Sequence, residues 1–336
     1  MPTIADVARE AGVGIGTVSR VLNNSPLVSE QLRQRVLAAI ERLEYRPSSA
    51  ARAFGRRRTQ TLELLVPLFI GSLFLELLRG IEDALVGTDY TLLARTMKCA
   101  EDRERAFDAC CSRSRADGAL VLWTVPTRQF VERLAANPFP VVLLNVVDPR
   151  LWSVAVDHDA AALRAVEYCL GLGHRRVALV DRHLDVFDST SPGICGRGYR
   201  EALASAGVSL ADGYQRMAEP GQAGGARALD ALLSLPEPPT AVVAASDEQA
   251  VGVFLAARER GWHVPRDLSI VGYSDSQYTQ YLGLTTIDVP VHEIGRAATR
   301  ALLGAVADPS VAPRTIYRPT QLLVRHTCGP PRAGRG

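Results

Sequence analysis

Apolar residues in the first 45 positions recur every three or four residues, in three separate blocks. Ile4, Val7, Ala8 and Ala11 form one stripe. Val18, Val21 and Leu22 form a second, and Leu32, Val36, Leu37, Ile40 and Leu43 a third. Such spacing predicts amphipathic helices, one starting at about Thr3, one over 15–22 and one over about 30–43. Thr3 with Asp6 makes an approximate capping box, Asp standing where Glu or Gln is usual. Ser29 can cap the third helix. Gly12 ends the first where a left-handed residue is wanted. With Tyr45 the three stripes close into one small core, so the headpiece should be only marginally stable alone.

After this block, Pro47 stops the helix and Ser48 to Phe54 is a short Ala-rich stretch, followed by Gly55 and three arginines. That stretch is too short for a stable helix in water. It reads either as a solvated linker or as a segment that folds when it meets a partner. From Thr61 onward, apolar runs alternate with amphipathic stretches. Strands are predicted over 62–66, 90–94, 118–123, 141–144, 176–180, 241–244 and 268–271. Helices are predicted over 74–85, 102–112, 160–172, 197–206, 224–233, 247–260 and 293–305. This order gives parallel sheets with helices on both faces. Ligands then bind beyond the carboxyl ends of the strands. About 270 residues are too many for one compact unit, so two similar lobes are expected.

Charge sharpens the picture. Residues 1–58 hold ten Arg or Lys against five Asp or Glu, whereas the remainder is slightly acidic. A basic helical headpiece on a near-neutral body points to nucleic acid. The first two helices, joined by a short Gly-containing turn, make a helix-turn-helix whose second helix enters the major groove. Its outward face offers Ile15, Gly16, Thr17, Ser19, Arg20 and Asn23. Thr17, Ser19, Asn23 and Tyr45 are the candidate phosphate contacts. Ile15, Gly16 and Arg20 are the candidate base contacts, with Arg20 able to fork onto a guanine. Arg52 and Phe54 are the candidate minor-groove pair, Phe54 as a wedge between base steps.

Other classes find less support. No apolar run approaches the roughly 20 residues of a membrane span, and the N-terminus reads as a folded helix, not a signal segment. A cytoplasmic protein is expected. The six cysteines form no CxxC pair and no cluster with histidine, so neither a metal site nor a disulfide framework is expected. There is no GxSxG, HExxH, P-loop or strand-borne GxGxxG. No catalytic residue and no cofactor is assigned.

The stretch TIADVAREAGVGIGTVSRVLNN, the following VSE, and YRP before ARAF resemble the headpiece and hinge of the LacI/GalR family of bacterial transcription regulators. FLELLRGIE, DGALVL, LGLGHRRVALV, GYREAL, AASDEQAVG and DLSIVGYSD are similar to that family's core. The resemblance implies an all-α three-helix DNA-binding headpiece (1–46) and a hinge (47–59). It implies next an α/β two-lobed core like the periplasmic binding proteins, with 60–159 and 291–318 in one lobe and 160–290 and 319–329 in the other. The tail, 330–336, should be disordered and lacks Leu heptads. The resemblance further implies a homodimer on a pseudo-palindromic double-stranded operator. It implies as well control by a small-molecule effector between the lobes.

The chain departs from the family pattern mainly in that cleft. Cys195 stands where an Arg is usual, Ser246 where Asn is usual, Ser274 where Asp is usual and His158 where Asn is usual. Candidate effector contacts are Phe74, Trp123, Cys195, Arg197, Ser246, Asp247, Ser274 and Asp275. The alternatives are that Asp247 caps the next helix, Trp123 is core and Arg197 points to solvent. The substitutions remove groups that grip sugar hydroxyls or carboxylates, so the expected effector is not a typical sugar.

Overall fold

The computed structural model describes residues 2–22, 25–45, 58–67, 73–111, 114–185 and 187–332. Asn23, Arg52 and Phe54, the tail residues 333–336 and most of the linker therefore lie outside the described residues.

The headpiece comprises α1 (Ile4–Ala11), α2 (Ile15–Leu22) and α3 (Glu30–Arg42). Thr3 and Asp6 form the reciprocal capping box, and Gly12 ends α1 at φ 61°. Val7, Ala8, Val18, Val21, Val36, Ala39 and Tyr45 make the core. Leu37, expected inside, is 49% exposed. One residue turns a helix by about 100°, which carries Leu37 off the face that Val36, Ala39 and Ile40 share.

The body holds two six-stranded sheets. The first, in spatial order β11-β5-β4-β3-β1-β2, contains β1 (Thr61–Pro67), β2 (Thr91–Met97), β3 (Gly118–Leu122), β4 (Val141–Leu144), β5 (Trp152–Val156) and β11 (Thr315–Arg318). The second, in order β12-β10-β9-β8-β6-β7, contains β6 (Val177–Asp181), β7 (Gln215–Met217), β8 (Ala241–Ala244), β9 (Ser269–Ser274), β10 (Thr285–Asp288) and β12 (Gln321–Leu323). Every pairing is parallel except β10 with β12. The chain passes between the sheets after β5, after β10 and after β11.

Helices α4 (Phe74–Leu85), α5 (Ala100–Cys110), α6 (Arg128–Ala136) and α12 (Val291–Ala307) accompany the first sheet. With the second come α7 (His158–Gly171), α8 (Gly196–Ser205), α9 (Gln222–Leu233), α10 (Asp247–Glu259) and α11 (Gln277–Leu282). Two helix pairs cross at reciprocal glycines. A Cβ on Gly80 of α4 would sit 2.0 Å from the His292 carbonyl oxygen, and one on Gly295 of α12 would sit 2.5 Å from that of Leu77. Gly225 of α9 and Gly252 of α10 are each 2.0 Å, in the same sense, from the carbonyl oxygens of Gln249 and Gln222. Backbones this close leave no room for any side chain.

The end of the linker is tied to the first lobe. Asp117 accepts from Thr59 N at 2.7 Å and Gln60 N at 2.9 Å. Arg58 Nη2 donates to the Val306 carbonyl at 3.0 Å.

Candidate DNA interface and inter-lobe cleft

In the headpiece, most of the described arginines are committed internally. Arg9 pairs with Asp6 at 3.2 Å and Arg42 with Glu10 at 2.6 Å. Arg35 donates to the Ala11 carbonyl at 2.7 Å, satisfying the end of α1. Arg33 donates to the Ser25 carbonyl at 2.9 Å. Arg20 is exposed, and among the described residues no carboxylate pairs with it. It shares the outward face of α2 with Ile15, 52% exposed, Gly16 and the half-buried Thr17 and Ser19. A Cβ on Gly14 or Gly16 would meet nothing within 4 Å, so this face is open for close approach. Tyr45 is 7% exposed, and its ring belongs to the core.

In the body, the two sheets bring their carboxyl ends together. Strand order reverses between β1 and β3 in the first sheet and between β6 and β8 in the second, and such switch points open crevices for ligands. Trp123 follows β3 and Arg182 follows β6. The Arg182 guanidinium lies 5.7 Å from the centroid of the Trp123 ring, across the two lobes. Four described non-glycine residues at these strand ends have left-handed backbone: Trp123 (φ 44°), Asn145 (59°), Ser274 (117°) and Asp275 (54°). Such strain collects at functional sites.

Beside them, His158 Nδ1 is 2.7 Å from the Tyr273 hydroxyl. The ring also donates to the Asn145 carbonyl, which by itself favours its protonated form. Burial outweighs that bond, aided by the nearby Arg182 charge, and pushes the imidazole down to about 4. His158 is therefore neutral, and it links β4 of one lobe to β9 of the other. A second link is the ion pair of Arg103 on α5 with the buried Asp185 after β6, at 2.8 Å. Phe187, two residues on, packs against the first lobe's cluster of Phe107, Phe130 and their neighbours.

The expected effector contacts divide. Trp123, half-buried, faces the cleft through Arg182. Phe74 begins α4 beyond the carboxyl end of β1, packed on the main core. Cys195 is fully buried, and its backbone N donates to Asp181 Oδ1 at 3.2 Å; it is a core residue. The Arg197 side chain is 76% exposed and pairs with Asp159 at 2.5 Å, so it points outward. Ser246, not Asp247, caps α10, accepting from Gln249 N. Asp247 is buried; it accepts from Ser276 N at 2.6 Å and Thr286 Oγ1 at 2.8 Å. Desolvation pushes its carboxyl up to about 6. It braces the turn after β9, so it acts behind the site. Ser274 lines the strand end, and Asp275 pairs with Arg325 at 2.7 Å. Arg182, Asn145 and Tyr273 were not singled out from sequence. The signal available for Arg182 was an adjacent Asp–Arg pair directly after the apolar run VALV.

Two further concavities, of about 460 and 390 Å³, lie within the first lobe around Trp152 and α12. None of the expected contacts lines them. Among the described residues no group of His, Cys, Asp and Glu could hold a metal ion, and no helix is long and apolar enough to cross a membrane.

Residues 3–48 match the model of the bacterial regulatory proteins of the lacI family, and 166–328 match a periplasmic binding protein-like domain. Catabolite control protein A of Priestia megaterium is 32% identical, over 97% of this chain and 98% of that protein. The chain belongs to the LacI family. The ribose operon repressor of Escherichia coli K12 is also 32% identical, over 93% of this chain and 95% of its own length. Among solved structures, the transcriptional regulator CelR–cellobiose complex superposes with a TM-score of 0.72 at 28% identity, over 97% of this chain and all of that one. Like these LacI-family members, the chain is a DNA-binding transcription regulator of the repressor type. Its two parallel-sheet lobes and helical headpiece are the family's architecture.

Proposed function

We propose that this LacI-family protein is a repressor that reads a pseudo-palindromic operator as a homodimer and answers to a small molecule held between its lobes. The observation that supports the DNA reading best is Arg20. It is exposed on the outward face of α2 while its described neighbours in the headpiece spend their charge internally. Two such helices, one from each protomer, can enter successive major grooves. In this reading Arg20 specifies a guanine, while Ile15 and Gly16 approach the bases and Thr17 and Ser19 hold phosphates. Asn23, Arg52 and Phe54 add contacts from segments beyond the described residues.

Dimer formation is supported by apolar side chains left uncovered on the body, Leu75 at 66% exposure and Tyr281 at 85%. The lobes are taken as 60–159 with 291–318, and 160–290 with 319–329. A ligand that changes the angle between them moves Asp117, and with it the end of each linker at Thr59. The two headpieces then lose or gain register. Such coupling requires the ligand to prefer one lobe arrangement.

Selection of duplexes from a random library, followed by gel shift against bulk genomic competitor, tests the reading. Enrichment of a two-fold-symmetric site is the expected result. Absence of any preferred duplex overturns it.

A further inference from the structure

Arg182 presents five N–H donors in a fixed fork, yet among the described residues no hydrogen bond or ion pair engages its guanidinium. Asp181, next in sequence, spends Oδ1 on the backbone N–H groups of Arg182 (2.9 Å) and Cys195 (3.2 Å). Its Oδ2 is buried without a hydrogen-bond partner and is walled off by Gly193, where a Cβ would lie 2.1 Å away. Glu248 acts on Arg182 only from beyond ion-pair distance. The residue is half-buried, and the protein around the guanidinium depresses its pKa by desolvation. A partly desolvated charge whose only described contact is an aromatic face keeps its five donors available for an anion.

Two more unmatched groups belong to residues at the facing strand ends of the first lobe. Trp123 Nε1 is a buried donor with no acceptor, and Asn145 Oδ1 a buried acceptor with no donor. The two residues are neighbours, because Trp123 N donates to the Leu144 carbonyl at 3.1 Å. Buried polar groups of native proteins are nearly always paired. One free cation, one free donor and one free acceptor together outline the complement of a ligand.

We propose that the cleft binds a small hydroxylated organic anion. Its carboxylate or phosphate meets Arg182, an oxygen accepts from Trp123 Nε1, and a hydroxyl donates to Asn145 Oδ1. This rests on the effector-cleft reading above and adds the chemical class. It also corrects the impression, left by Cys195 and Ser274, that the cleft has lost its charged grip: the charge stands on a different strand end.

Calorimetry on the full-length chain with sodium gluconate, glucose 6-phosphate and glucose tests this. At least one of the two anions should bind at least tenfold more tightly than glucose, as a charge-assisted pair implies. Which anion it is separates carboxylate from phosphate. Arg182→Gln should weaken that anion at least tenfold, and Arg182→Lys less. Without ligand, Arg182→Gln should melt close to wild type, because the guanidinium's one described contact is the Trp123 ring. A large drop in melting point would make Arg182 a structural residue and overturn the proposal. So would equal binding of glucose and both anions, failure of both anions to bind, or an unchanged Kd in Arg182→Gln. Duplex binding by unliganded protein is scored separately. Its loss would end the operator reading and leave the calorimetric result standing.

Discussion

The imidazole of His158 and the hydroxyl of Tyr273 meet at 2.7 Å across the seam between the lobes. The Asn145 carbonyl accepts a hydrogen bond from the ring on the other side, so the neutral ring accepts from the tyrosine. Burial holds the histidine in its neutral form, and that fixes the sign of a pH effect.

The folded protein holds His158 near a pKa of about 4, against 6.5 for a free imidazole. As pH falls through 6.5 the unfolded chain takes up a proton that the folded chain refuses. The stability His158 contributes is therefore complete above about 6.5 and is lost progressively toward 4, by at most about 3 kcal/mol. Asp247 has the opposite sign. Its carboxyl, raised from 3.8 to about 6, keeps its proton longer in the folded state, so stability falls as pH rises between those values. The two effects oppose each other in the wild type. Denaturant melts of wild type and His158→Gln at several pH values isolate the first: the stability difference should drift in favour of the variant as pH drops from 6.5 to 4. A difference independent of pH would refute the neutral bridge.

Arg103 and Asp185 pin the loop after β6 to the opposite lobe. Removing the arginine strands a buried carboxylate, which costs about 3 kcal/mol. Arg103→Ala should lose about that much in urea melts, and Asp185→Asn in the same chain should restore most of it. If the double variant is as unstable as the sum of the singles, the pair is not coupled.

The glycines of the helix crossings should behave oppositely to a glycine in open space. Gly252→Ala drives a methyl into the Gln222 carbonyl and should cost about 1–3 kcal/mol. Gly304 lies in α12 with nothing within 4 Å of an added Cβ, so Gly304→Ala should gain up to about 1 kcal/mol. Thermal melts of both variants, compared under one buffer, check the contrast.

Much of the headpiece was legible from sequence because its signals are local. The Thr3–Asp6 box, the left-handed Gly12 and the bounds of α2 all follow from spacing and residue type. In the body, long helices such as 74–85 and buried strands such as 141–144 were equally plain. Strand β5 escaped notice because Ser153 interrupts its apolar run, WSVAV, although that serine is buried with the rest. Helix α6 was missed although Thr127 caps it and Phe130, Val131 and Leu134 form its buried face. The cleft was the least legible part. Arg182 and Trp123 are 59 positions apart and meet only because two switch points face each other. Asp247 was weighed as a cap because it opens a helix, but Ser246 occupies that position and frees the carboxylate to brace β10.

The most direct test is the affinity of wild type and Arg20→Ala for a selected operator and for a scrambled duplex of equal length, by fluorescence anisotropy at fixed salt. The bidentate Arg–guanine contact is worth about 1–3 kcal/mol per half-site. Arg20→Ala should therefore bind the operator roughly tenfold or more weakly, while its affinity for the scrambled duplex changes far less. Equal operator affinity in the two proteins, or an equal loss on both duplexes, would contradict the assignment of α2 as the helix that reads sequence.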